Sequence, residues 1–299
     1  MEDLNYDIDQ TLHSIIHTIT YGRKPKFTTL ICDRLLAKGV ESFIERPSQL
    51  LYQLLVDLFP ATAGASIADR DLVLQAILQD QVCRFLHSLF FRGETFAGVD
   101  PQVGEVLESL YKGIRDEGAL FYVLLFLSLV AYFYCWFTVP HSVAQRWRAL
   151  TISASFLQMN ETLLNEKTEA LMSIIQTMIS IAYPSHKTNF NKMIHEEIHK
   201  EESSVRGMIE KAHKISLRMQ RDVVSTLVKV TIASEDEYGD YHAFHPSNAT
   251  SAWGSMEPRE KDLVLGTCSF GVQQTTEKGH KWILKPQLIT GSLLRRFSL

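Results

Sequence analysis

With 299 residues, 45% of them apolar and 21% charged, the chain has the composition of an ordered protein and the length to bury a sizeable core, which excludes the charge-rich disordered class. Thirty basic against 34 acidic residues leave a net charge of −4, so no global field draws it to nucleic acid or acidic lipid. Cys32, Cys83, Cys135 and Cys268 form no CxxC pair, which argues against a structural zinc site, and the apolar helical context of Cys32, Cys83 and Cys135 points to buried, reduced thiols in an intracellular protein.

The acidic start of the chain is not followed by an apolar run, so no cleaved secretory signal is expected. Leu4, Ile8, Leu12, Ile15, Ile16 and Ile19 recur at steps of three and four and predict a helix over 3–20, with Asp3 placed to cap it. Gly22 and Pro25 break it, and a second helix is expected over 28–45, ahead of Pro47. A third carries Leu50, Leu51, Leu54, Leu55 and Leu58 as far as Pro60. The fourth starts near Asp69, carries Leu72, Leu78, Val82, Phe85, Leu86 and Leu89, and stops at Arg92 and Gly93. Asp100 and Pro101 open a fifth that runs to Gly118. Residues 1–118 thus read as an N-terminal helical region without a catalytic motif.

Residues 119–139 contain no charged side chain, and 21 residues at about 1.5 Å each suffice to cross a hydrocarbon core of about 30 Å. Tyr122, Tyr134 and Trp136 stand near its ends, as in a membrane span. The same pattern suits a central helix buried all round in a bundle, and the sequence supports the two readings about equally.

Residues 140–233 read as a second helical region. One helix is expected over 160–183, ended by Pro184, and then a long amphipathic helix over 187–230. Ile194, Ile198, Val205, Met208, Ala212, Ile215 and Met219 follow a four–three alternation interrupted at Glu201, the pattern of a coiled-coil or bundle seam. That seam is the expected interaction element, packed against a partner protein, a second copy or the chain's own core. Residues 234–261 read as an acidic linker. Residues 262–299 hold a short β-hairpin turning at 275–279. The fold class expected is mainly α: a multi-helix bundle with a central apolar helix, a long amphipathic helix and a C-terminal hairpin.

One short motif carries metal chemistry. His195, Glu196 and His199 have the HExxH form of zinc peptidases, in which two imidazoles one helical turn apart bind the metal and the glutamate polarises its water. The strongly charged surroundings and the displacement of His199 from the apolar seam argue that the match is accidental. Glu210 and His213, the further ligands within reach in sequence, fall on the same helix, too far along it to close the site. No metal or other cofactor is therefore expected. Basic residues Lys192, Lys200, Arg206, Lys211, Lys214, Arg218 and Arg221 line the same segment, but interleaved glutamates weigh against nucleic-acid binding. The function expected is a non-enzymatic scaffold or interaction protein, with a membrane anchor on one reading of 119–139. A metal-dependent hydrolase and a nucleic-acid-binding protein are the alternatives.

Overall fold

The apolar periodicity of the first helix is realised directly. In a computed structural model describing residues 1–21, 67–91, 146, 149–150, 159, 161–182, 188–223, 227–233, 243–253, 261–276 and 279–293, helix α1 spans Glu2–Tyr21. It buries Leu4, Ile8, Leu12, Ile15, Ile16 and Ile19, the side chains that repeat at three and four. Helix α2 spans Ile67–Phe90 and buries Leu74, Ile77, Leu78, Val82 and Leu86; α3 spans Glu161–Ala182 and buries Leu164, Leu171, Ile175 and Ile179. These two helices and α1 begin and end within a few residues of the positions expected.

The long helix expected over 187–230 is not continuous. It divides into α4, Thr188–Lys200, and α5, Glu202–Asp222, with Glu201 between them. A carboxylate on the buried side of an uninterrupted helix would need partners, and the break supplies them: Glu201 accepts from Ser14 Oγ of α1 at 2.9 Å and from Ser204 Oγ at 3.1 Å. Nor does helix persist to 230. Leu227–Thr231 is strand β1, consistent with the β-branched composition of Val228, Val230 and Thr231.

The expected hairpin exists within a larger strand region. Strands β4, Gly271–Thr276, and β5, Gly279–Leu284, pair antiparallel, with Thr276 opposite Gly279. Gly279 takes φ +110°, a conformation open to glycine alone at low cost. Strand β1 joins β4 on its other side, giving the order β1-β4-β5. A second three-stranded sheet, β2-β6-β3, is built from Thr250–Ser251, Gln287–Thr290 and Val264–Ser269. The acidic segment is therefore not simply a linker. It contributes β2, an Ala243–Leu263 bridge and the buried side chains Phe244 and Ala249.

Helices and strands share one apolar core, in which α2 lies against β3 and Phe91 meets Phe270 edge to face at 5.5 Å between centroids. The protein is thus mainly helical with a C-terminal strand region. Among the described residues no helix is long and apolar enough to cross a membrane. The apolar segment 119–139 lies outside them, as do the helices expected over 28–45, 47–58 and 101–118.

Gly271 marks a close approach in the strand region. A Cβ there would stand 2.5 Å from Pro286 Cδ, 2.6 Å from Thr231 Oγ1 and 2.7 Å from Pro286 N. Gly271→Ala is expected to destabilise the protein by about 1–3 kcal/mol, the usual cost of overpacking, as read from the urea midpoint.

Candidate functional site

The HExxH residues sit on the outer face of α4. Ile194 and Ile198 turn into the core, while His195, Glu196 and His199 are exposed, as their displacement of about 100° per residue requires. The two imidazole rings are 4.2 Å apart between centroids and nearly perpendicular, and His199 Nδ1 lies 3.2 Å from Glu202 Oε2. The Glu196 carboxylate lies 3.9 Å from the Lys192 ammonium, one turn back.

Neither further candidate ligand joins them. Glu210 is paired with Arg206 and Lys214, and His213 is buried with its ring 5.7 Å from that of Phe90. No group of three or more His, Cys, Asp or Glu side chains positioned to hold a metal occurs among the described residues. The peptidase geometry is therefore not assembled from them. His245, another histidine of the acidic segment, is exposed and 2.6 Å from Ser247 Oγ.

The seam residues point inward. Ile194, Ile198, Val205, Met208 and Ala212 are buried in the core, and Ile215 and Met219 pack against it half-buried. Toward the end of α5 the buried face moves to His213, Ser216 and Gln220. Ser216 Oγ donates to Phe90 O at 2.7 Å, which satisfies a carbonyl at the end of α2.

The basic residues of α4 and α5 are largely neutralised in place. Lys192 pairs with Glu196, Lys200 with Glu197, Arg206 with Glu161, Lys211 with Asp7, Lys214 with Glu210 and Arg221 with Asp222. A surface whose cations already face carboxylates has little charge left to exchange for phosphate counterions.

Among the described residues a cluster of buried polar groups lies elsewhere, where α2 crosses the strands. Asp80 is fully buried; its Oδ2 pairs with Arg84 Nε at 2.9 Å, and its Oδ1 accepts from the Thr267 amide of β3 at 2.8 Å. Arg84 reaches the Ala233 carbonyl at 3.5 Å, and the Ala233 amide donates to Thr267 Oγ1 at 2.7 Å. His87 Nε2 lies 3.3 Å from Val230 O. About two turns of α2, Asp80 to His87, thus tie both sheets to the helical layer. Sequence reading missed this junction because an aspartate four residues before an arginine on a helix is also the ordinary exposed pair.

Cys83 and Cys268 are buried beside this junction as free thiols, with Cys83 Sγ 3.7 Å from Cys268 O. Burial pushes both well above the usual thiol range, and the Asp80 carboxylate adds to the effect. Neutral, desolvated thiols are poor nucleophiles, so the pair acts as packing. Cys32 and Cys135 lie outside the described residues.

Burial also lowers the pKa of His213, assisted by the neighbouring Lys214. The unfolded chain therefore takes up a proton near the ordinary imidazole value of about 6.5, before the folded chain does. Above that range the full stability is present. It should decline as pH falls through the ordinary value and level off below the lowered one. Urea midpoints measured against pH should show this component in the parent and lose it in His213→Gln.

Comparison with protein-family models, curated proteins and solved structures finds no match for this chain.

Proposed function

We propose that this chain is a non-enzymatic helical scaffold that presents the outer face of α4 and α5 to a protein partner. The observation that supports this reading is the use of its polar interior. Asp80 ties α2 to β3, Asp9 accepts from Gln75 and Gln79 of α2, and the Asn5 amide both donates to and accepts from the backbone of Phe270. Each of these groups is spent on holding one element to another, which is what a rigid support requires.

The apolar stripe of α4 and α5 faces the chain's own core, so a partner meets the opposite face. In the membrane-anchored form of this proposal, residues 119–139 are the anchor and the multi-helix body lies outside the bilayer; alkaline carbonate extraction should then leave the protein in the pellet. Chemical cross-linking in cells tests the scaffold itself. The Lys214→Glu, Arg218→Glu double variant should lose a cross-linked neighbour while keeping parental helicity. A cellular phenotype abolished by Glu196→Gln, with every cross-link retained, would instead favour the metal-dependent hydrolase.

A further inference from the structure

We propose that His195 and His199 form a surface chelate for a divalent late first-row cation such as zinc(II), held by two imidazoles and completed by water. The site rests on three features of the α4–α5 junction. The residues are one helical turn apart, so their side chains leave the same face of α4, and their rings already stand 4.2 Å apart between centroids. Both are exposed, so a hydrated cation reaches them without opening the fold.

The third feature is Glu202, in the first turn of α5. Its Oε2 lies 3.2 Å from His199 Nδ1, and a carboxylate only accepts, so Nδ1 carries the proton. In the neutral ring Nε2 is then the nitrogen whose lone pair is available to a metal. A carboxylate behind a ligating histidine fixes the tautomer and raises its basicity. Glu202 stands three residues on, in the first turn of the next helix, within reach of the ring. Imidazole donors suit zinc, copper and nickel rather than magnesium or calcium.

This chelate is distinct from a peptidase centre. It needs no third protein ligand and assigns no role to Glu196, which stands by Lys192. The chain offers an internal comparison in α1, where His13 and His17 share the same spacing but have ring centroids 6.1 Å apart.

Isothermal titration of the full chain with zinc(II) chloride alone tests the proposal. The tightest event should be one equivalent that His195→Gln or His199→Gln removes, with circular dichroism unchanged. Glu202→Gln should weaken it by about tenfold or more, the usual effect of losing a carboxylate behind a metal-bound histidine. The His13→Gln, His17→Gln double variant should leave it intact. Retention of the tightest event in both His195→Gln and His199→Gln, or its loss only in the α1 double variant, would overturn the assignment.

Discussion

Replacing Asp80 by Ala is expected to destabilise the fold by about 3–5 kcal/mol, because it removes one partner of a buried ion pair, the carboxylate 2.9 Å from the Arg84 guanidinium. The carboxylate is fully buried and the Arg84 side chain is 10% exposed, so water cannot replace the lost partner at low cost. The Thr267 amide of β3 also loses its acceptor. Two contrasting variants locate the origin of the effect. Arg84→Met removes the other partner of the pair and should cost a similar amount. The double variant Asp80→Leu, Arg84→Met removes both charges and should be less destabilised than either single change, because an apolar pair carries no desolvation penalty. Urea unfolding followed by circular dichroism measures all three. Strictly additive losses in the double variant would show that the two side chains act independently.

Changing Val205 and Met208 together to Asp is expected to abolish folding. Both are buried in the core, and each new carboxylate must either remain charged in an apolar site or take up a proton at a cost of several kcal/mol. Against the roughly 5–15 kcal/mol that hold an ordinary domain together, two such penalties are decisive. Met208→Ala alone leaves a cavity and should cost about 2–5 kcal/mol, leaving a folded protein whose urea midpoint can be measured. Retention of parental helicity and thermal stability by the double aspartate variant would show that the stripe is not in the core.

Where one apolar stripe faced one core, spacing was a sound guide, as in α1, whose six expected residues are all buried. It was less faithful along α4 and α5. A strict four–three alternation has a period of 3.5, whereas a straight helix turns every 3.6 residues and drifts by about 20° per heptad. The break at Glu201 and this drift together carry the buried face from Ala212 toward Ser216 and Gln220, leaving Ile215 and Met219 only half-buried.

Tertiary pairing was legible only in part. The β4–β5 hairpin announced itself through Gly279, but β1 lay hidden at the end of a helical pattern because its partner, β4, follows some forty residues later. The same limit applies to the junction at Asp80. Nothing near it in sequence indicates that the Thr267 amide, 187 residues away, will need its oxygen. For the exposed His199 the opposite holds. The phase of His199 relative to Ile194 and Ile198 placed it off the apolar seam before any tertiary information was needed.

Amide hydrogen exchange across Glu202–Asp222, compared at high and low protein concentration, most directly tests the claim that the chain's own core consumes the apolar stripe. Strong protection through Val205, Met208, Ile209 and Ala212 that does not change on dilution is the predicted result. Protection that falls as the protein is diluted would contradict the account, because the stripe would then be covered by another molecule rather than by α1, α2 and α3.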